Sequence, residues 1–462
     1  MSDDSPRFRF GPRSTRGLIA GWRGGQVAAV AAGALVAVGL LRSVGGLAGV
    51  TLALGAASIG IAVATVPLGG RPVESWVPTV AGHAAAAFAD GRDLPWLPPA
   101  ARRRRSGALA QLRLVTPPDL SDLGVLEDRR CGTWSAAIPV GSQGYALLDD
   151  AGRATAVAAW AGVLSAMAAD GHALHRLQWI ASTRPARERD LVPPPGTGGA
   201  AGSYRALCDE VMPELWERDV LLVVTVKLPR RSREPRRRPS PESTAGERLR
   251  LLLSSLGDRL ASAGLVAGSP LCPGEMASAV RRSYAGDSAQ GRAPWPVGVE
   301  ARWRALRTDE SWQATYWVAE WPRGEVGPGV LLPLLVGAHQ RRTVALTMAP
   351  LPPGSAVRRA ERERTAGAAD ADLRRRHGFA LTARARAEQD VRLQREAELA
   401  EGHTAYLFSG YVAVTADDEE ALERDCLEVE QAAALAQLEL RRLFGAQEQA
   451  WCCTLPSGRG CG

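Results

Sequence analysis

Lysine is almost absent from this chain. Lys227 is the one lysine in 462 residues, so arginine carries nearly all of the positive charge. A P-loop nucleotide triphosphatase needs the pattern Gly-x-x-x-x-Gly-Lys-Ser/Thr, because the lysine ammonium and the backbone amides hold the phosphates. Lys227 is followed by Leu228 and has no glycine just before it. The sequence therefore excludes a Walker A loop of the usual form.

The cysteine patterns of disulfide, zinc and thiol redox proteins are also missing. The chain has 7 cysteines, an odd number at wide and irregular spacings, which favours a reducing compartment over a disulfide framework. Cys452 and Cys453 are adjacent and Cys461 follows later, without the Cys-x-x-Cys spacing of zinc and redox sites. We expect these three side chains to be inert thiols.

Histidine and serine motifs are equally incomplete. His172 and His175 lie close together near Asp170, but zinc would need at least one further ligand in register. Ser142, in the run Gly-Ser-Gln-Gly at 141–144, misses the Gly-x-Ser-x-Gly elbow by one position. We predict no catalytic, cofactor-binding or metal-binding residues, and a membrane-tethered enzyme is the least favoured hypothesis.

The charge balance does not indicate a nucleic-acid-binding protein. The 56 Lys and Arg residues against 49 Asp and Glu give a formal net charge of +7 and a pI near 9.3. Arginines cluster at Arg102 to Arg105 and again between Arg230 and Arg238, but aromatic residues are not interleaved with the first cluster. Headgroups of anionic lipids, acidic partners and nucleic acid all stay open as contacts of these segments.

Two long uncharged windows near the N-terminus predict membrane helices. They cover residues 24–41, between Arg23 and Arg42, and residues 43–70, between Arg42 and Arg71. A membrane-spanning helix needs about 20 mostly apolar residues, and neither window has the polar stripe of a core helix. A secretory signal peptide is excluded for the first window because its apolar region is too long and a second span follows at once.

Arginine placement predicts that both ends of this helical pair lie in the cytoplasm. Only Arg42 lies between the windows, whereas arginines are frequent before the first and after the second: Arg7, Arg9, Arg13, Arg16 and Arg23 before, and Arg71, Arg92 and Arg102 to Arg105 after. Small residues in both windows would let the helices approach closely: Gly33, Ala37, Gly49, Ala53, Ala56, Ala57 and Gly60.

The fold class that we predict is an N-terminal transmembrane α-hairpin followed by cytosolic α+β domains with mixed short strands and helices. The predicted segments are a basic tail (1–23), two membrane helices (24–70), a juxtamembrane Pro/Arg linker (71–118), a first α+β unit (119–228), an Arg/Pro loop (229–243) and a second α+β unit (244–462) with a long charged helix at 355–401.

Alternating and apolar runs predict the individual elements. Strands are expected at 133–140, 144–148, 174–181, 220–227, 311–321, 341–348, 405–416 and 449–455, and helices at 151–168 and from Asp417 to about Phe444. Several of the 13 tryptophans, among them Trp303, Trp312, Trp317 and Trp321, fall on or beside the strand at 311–321. Most should pack in the core, and an exposed subset would suit a protein interface.

The N-terminal part resembles PrgI-type membrane proteins of conjugative and type IV secretion systems. The resemblance is carried by Arg16-Gly17 before the first span and by the run Pro-Leu-Gly-Gly-Arg-Pro-Val-Glu-Ser-Trp at 67–76 after the second. Residues 275–284, 311–324 and 341–351 resemble an actinobacterial family of integral membrane proteins from such transfer loci. Residues 411–460 are similar to the end of the amino-terminal domain of TraE/TrbE conjugation ATPases, without the motor domain that follows there.

These resemblances imply a non-catalytic structural subunit of a type IV-like conjugation or secretion apparatus. Such a subunit would be anchored in the inner membrane and would dock a separately encoded ATPase, other channel subunits or further copies of itself. An alternative is a membrane component of the type VII secretion system similar to EccE, which also pairs an N-terminal hairpin with a cytosolic domain.

Overall fold

A computed structural model describes residues 8–10, 24–65, 67–68, 71–72, 76, 79–81, 107–117, 120–141, 144–169, 173–186, 199–211, 215–228, 241–285, 294–309, 311–337, 339–376 and 383–460. Contacts between Cα atoms divide the chain into two compact units. The sheet unit comprises Met1–Phe10, Leu94–Val357 and Glu398–Gly462, and the hairpin unit comprises Gly11–Asp93 and Arg358–Ala397. Two apolar N-terminal helices are followed by a mixed α+β domain, which confirms the predicted fold class.

The described helices alternate with strands along most of the chain. The α-helices are α1 (Gly24–Val44), α2 (Gly46–Thr65), α3 (Asp150–Ala169), α4 (Gly199–Val211), α5 (Pro241–Ser262), α6 (Pro273–Arg282), α7 (Leu332–Leu335), α8 (Pro353–Arg376), α9 (Ala383–Ala400), α10 (Glu419–Leu435) and α11 (Gln447–Trp451). The charged segment predicted at 355–401 forms α8 and α9. Arg364 of α8 pairs with Glu396 of α9 at 3.0 Å, so the two helices are joined by ion pairs.

The described strands are β1 (Phe8–Arg9), β2 (Pro67–Leu68), β3 (Arg71–Pro72), β4 (Leu112–Val115), β5 (Val125–Asp128), β6 (Thr133–Gly141), β7 (Arg176–Pro185), β8 (Trp216–Lys227), β9 (Val266–Ala267), β10 (Val299–Ala301), β11 (Leu306–Thr308), β12 (Trp312–Glu320), β13 (Glu325–Val326), β14 (Arg342–Leu351), β15 (Ala405–Ala416) and β16 (Glu439–Arg442). The long strands are rich in β-branched and aromatic residues, which suit a pleated and buried surface.

One antiparallel sheet dominates the sheet unit. Its strand order is β10-β11-β12-β15-β14-β7-β8-β6-β5-β4, with β16 added to β12 and β9 added to β6. Strands from the predicted 119–228 and 244–462 segments therefore lie in the same sheet. The junction is the pairing of β7 with β14, which runs from Arg342 opposite Thr183 to Met348 opposite Leu177.

The two halves of this sheet have the same topology. In the first half β6 pairs with β8, β8 pairs with β7, and β9 lies on the outer edge of β6. In the second half β12 pairs with β15, β15 pairs with β14, and β16 lies on β12. The strand pairs β4-β5 and β10-β11 extend the two ends in the same way. The domain is therefore an internal repeat, which the sequence analysis did not predict.

A local twofold axis relates the halves, and it passes between Ile180 and Ala345, which lie directly opposite each other. On each side of this axis, residues that pair from one strand to the next form a row across the sheet. The two rows occupy equivalent positions. In the first half the row is Leu126, Ser135, Thr225 and Arg176, and in the second half it is Leu306, Gln313, Thr415 and Arg341. Leu126 and Leu306 are both fully buried, so the equivalence extends to the core.

One face of the sheet carries the long helices. Helix α5 buries Leu249, Leu256 and Leu260 against side chains of β6 and β8. Helix α10 buries Leu422, Cys426 and Val429 in the same way against β12 and β15. A buried leucine contributes roughly 1.5–3 kcal/mol to the free energy of folding relative to its exposed state, so each of these two helices stabilises its own half of the sheet.

The opposite face, here called the tail face, carries α6, α11 and the C-terminal residues 456–460. On this face Arg459 is buried and donates two hydrogen bonds to the carboxylate of Asp128, at 2.5 and 2.9 Å, and a third to the carbonyl of Ala108. Burial would raise the pKa of Asp128, but the hydrogen bonds and charge of Arg459 hold it below its usual value. Gly458, with φ of +63° and Thr225 in close contact, leaves no room for a side chain.

Three predicted elements were wrong. The strand expected at 144–148 is a short 3-10 helix, Tyr145–Leu147, because Gly144 adopts a left-handed conformation with φ of +68°. The strand expected at 449–455 is helix α11 followed by a turn. The helix expected to reach Phe444 ends at Leu435, where Gln437 turns the chain with φ of +57°.

Replacing Arg459 by Met should destabilise the sheet unit. The change leaves the Asp128 carboxylate buried without its cationic partner, and breaking such a pair costs about 3–5 kcal/mol in free energy of unfolding. Urea unfolding of the full-length protein in detergent, followed by tryptophan fluorescence, measures this loss. As a matched control, Arg323→Met removes the exposed pair with Glu320 and should cost less than about 1 kcal/mol. Equal effects of the two changes would contradict the assigned importance of the buried pair.

Candidate functional site

Helices α1 and α2 have the length and composition to cross a membrane. The spans cover Gln26–Val44 and Gly46–Thr65. Large apolar side chains point away from the helical pair, and Leu35, Leu47 and Ile59 are 74%, 85% and 66% exposed. A soluble protein rarely exposes so much contiguous apolar surface, whereas lipid chains would cover it.

The two helices form a tight antiparallel hairpin. A Cβ atom on Gly33 would lie 2.9 Å from the Cα atom of Gly60, so only glycine fits at this crossing. The amide of Gln26 donates to the carbonyl of Ala64 at 2.7 Å, which ties the two ends of the hairpin together. Both ends therefore lie on the same side, and Gly33 and Gly60, two of the small residues predicted to permit close approach, meet at the crossing.

Of the two neighbouring histidines singled out in the sequence, the structure describes His175. His175 lies beside β7, and its backbone N–H donates to the carbonyl of Thr225 at 2.9 Å. Burial, followed by the charges of Arg176 and Lys227, lowers its pKa to about 4. The imidazole is thus uncharged near neutral pH. His172, Ser142, Cys461 and the arginine clusters at 102–105 and 230–238 lie outside the described residues.

The cysteines near the C-terminus follow α11. Cys452 is fully buried, and burial raises the pKa of its thiol, while Cys453 is partly buried and donates to the carbonyl of Gln449. A buried thiol with a raised pKa is a poor nucleophile, because the thiolate is the reactive species. Among the described residues no group of three or more His, Cys, Asp and Glu side chains is placed to hold a metal ion.

Tryptophans of the second half lie at the surface of the sheet rather than only in its core. The guanidinium of Arg302 lies 4.4 Å from the ring centre of Trp312, and Trp303 is 37% exposed. Trp321 stacks on Phe10 at 5.1 Å and meets Phe408 edge-on at 5.2 Å. This aromatic cluster fixes the N-terminal strand β1 beside β13.

The fold and the two apolar helices define a class of protein, a two-helix membrane component with an α+β domain. The comparison with known families then narrows this class. The family model described as "Putative type VII ESX secretion system translocon, EccE" matches residues 215–318. No curated protein matches the chain.

The matched segment lies within the repeated sheet. It begins just before β8, the central strand of the first half, and ends within β12, the first long strand of the second half. The match and the two apolar helices support a membrane component of a secretion system. They favour the type VII alternative, and the PrgI-like and TraE/TrbE-like resemblances receive no support from them.

Substitution of Gly33 by Leu should separate the membrane helices. The leucine cannot fit against Gly60, and overpacking of this kind costs about 1–3 kcal/mol. The matched control is Gly39→Leu in the same helix, since a side chain at Gly39 would meet nothing within 4 Å. Heating the two variants in detergent and measuring the folded protein that stays soluble compares them. If both behave like the parent, the close crossing of α1 and α2 is wrong.

Proposed function

We propose that this chain is a non-catalytic, membrane-anchored structural component of a type VII secretion translocon. The observation that carries the proposal is the EccE match over residues 215–318, which falls on strands of the sheet unit. The hairpin of α1 and α2 supplies the anchor that a membrane component needs. The sheet unit then offers its surfaces to a separately encoded secretion ATPase and to other channel subunits.

The proposal includes an orientation, with both termini and the sheet unit in the cytoplasm. It is supported by the antiparallel hairpin, which puts both ends on one side, and by the arginines that flank it. A cytoplasmic location also agrees with free thiols, since Cys131, Cys208, Cys272, Cys426, Cys452 and Cys453 form no disulfide with one another.

Labelling of intact cells with a membrane-impermeant maleimide tests this orientation. The Ser43→Cys variant places a thiol beside the turn between α1 and α2, and we expect it to be labelled from outside. The parent chain, whose Cys131 is exposed in the sheet unit, is the matched control and should be labelled only after lysis. Labelling of the parent in intact cells would place the sheet unit outside and contradict the proposal.

Purification of a tagged chain from its own host membranes in mild detergent tests whether the protein belongs to a type VII secretion translocon. We expect a hexameric-type ATPase and other membrane subunits of a type VII locus to co-purify, because a structural subunit is held by its neighbours. An unrelated tagged protein with two spans is the control. Recovery of the chain alone, or with type IV conjugation subunits, would overturn the assignment.

A further inference from the structure

Two aromatic side chains of the sheet unit form a binding site for a phenylalanine. Trp321, which directly follows β12, meets Phe408 of β15 edge-on with ring centres 5.2 Å apart. Phe10 stacks on Trp321 with ring centres 5.1 Å apart, and its ring centre lies 6.3 Å from that of Phe408. These separations lie within the range of favourable aromatic pairs. Trp321 and Phe408 are here called the aromatic socket.

The aromatic socket is built by the sheet rather than by its occupant. A Cβ atom on Gly410 would lie 2.9 Å from the ring of Trp321, so the glycine lets the indole lie close against β15. The ring contact between Trp321 and Phe408 joins two residues of the sheet, and Phe408 is still 39% exposed with Phe10 in place. A site that exists before its ligand arrives costs less free energy to fill.

Backbone pairing accompanies the aromatic contact. Strand β1 runs antiparallel to β13, with Phe8 opposite Val326 and Arg9 opposite Glu325. Among the described strands, β1 is the one that pairs with β13. A strand edge beside a pocket for a side chain is the arrangement that proteins use to bind extended segments by strand addition. Residues 8–10, here called the arm, are therefore bound to the sheet unit by strand addition.

The arm is small enough to bind and release. Its pairing with β13 covers two residues, and Phe10 supplies the ring contacts that the structure describes. Ordering three residues costs conformational entropy of the same order as the gain from these few contacts. Binding of the arm is therefore close to balance, in contrast to the long strands of the main sheet.

The connection between the arm and the rest of the sheet unit favours exchange between copies. Residues 11–93 separate the arm from the next part of the unit, and they include α1 and α2. Closing so long a connection gives a chain's own arm only a small entropic advantage over another arm. A second copy anchored in the same membrane presents an identical arm at a high effective concentration. The occupant that best competes for the aromatic socket is therefore the arm of a second copy.

We propose that copies of this protein exchange arms in the membrane. The arm of one copy pairs with β13 of its neighbour, and its Phe10 stacks on the neighbour's Trp321. The inference goes beyond the proposed function, because it assigns a contact between copies and does not depend on which secretion complex contains them. Failure of arm exchange would leave the co-purification result unaffected.

Disulfide cross-linking in membranes tests the exchange. Two differently tagged copies are expressed together, one with Arg9→Cys and the other with Glu325→Cys, since these positions lie directly opposite each other. After oxidation with copper phenanthroline we expect a product of twice the chain mass that carries both tags. Its yield should exceed at least fivefold the background from two parent copies, which contain native thiols such as the exposed Cys131. As a matched control, Arg9→Cys with Glu247→Cys on the exposed side of α5 should stay at background.

Variants of Phe10 separate arm exchange from chance collision. Adding Phe10→Ala to the copy with Arg9→Cys should lower the yield at least threefold, because the contact with Trp321 is lost. Phe10→Tyr keeps the ring and should keep the yield. Strand β1 lies outside the main sheet, so both variants should unfold in urea at the same midpoint as the parent.

A single chain with both Arg9→Cys and Glu325→Cys reports pairing within one copy. Efficient linking inside this chain, with no product carrying both tags from the mixed copies, would show that the arm stays on its own sheet and would overturn the proposal. Linking in neither arrangement would show that β1 does not pair with β13 and would overturn it as well.

Discussion

The pairing of β7 with β14 is the interaction on which the sheet unit depends. It joins two halves that have the same strand order, so a single set of antiparallel hydrogen bonds turns two small sheets into one. Each half alone would present a long edge strand at this position, and unpaired edges are prone to association with other chains. Pairing across the twofold axis removes both edges at once and brings the side chains of Ile180 and Ala345 together in one buried cluster.

The pairing of β7 with β14 also lets each half bind a segment that belongs to the other half. Arg176 of the first half holds the chain that follows helix α11, and Arg341 of the second half holds the chain that follows α6. Each half thus secures the trailing segment of the other. The C-terminal segment adds the buried pair of Asp128 and Arg459, which connects the last residues of the chain to strand β5 at the start of the sheet. Such reciprocal contacts make the two halves one cooperative unit.

In the proposed function, the hairpin unit and the sheet unit have different roles. The hairpin of α1 and α2 buries only small residues at its crossing and turns its large apolar side chains outward, as a lipid environment requires. In the sheet unit, burial lowers the pKa of His175 and raises the pKa of the Cys452 thiol, which makes both side chains less reactive near neutral pH. The proposed role in a secretion complex therefore depends on binding surfaces rather than on reactive groups.

The sequence by itself determined the local elements and the anchor. Two uncharged windows could only be long apolar helices, and the runs at 133–140, 220–227 and 405–416 became strands because alternating and β-branched residues encode a pleated surface locally. The strand predicted at 144–148 does not form because Gly144 adopts a left-handed conformation. The strand predicted at 449–455 is a helix and turn instead, because the buried contacts of Gln447 and Trp451 outweigh the local preference for a strand. Only the tertiary structure decided which strands pair. The repeat and the Asp128–Arg459 pair join residues far apart in the chain, and the two halves share burial and strand pairing rather than residue identity, so no sequence motif marks them.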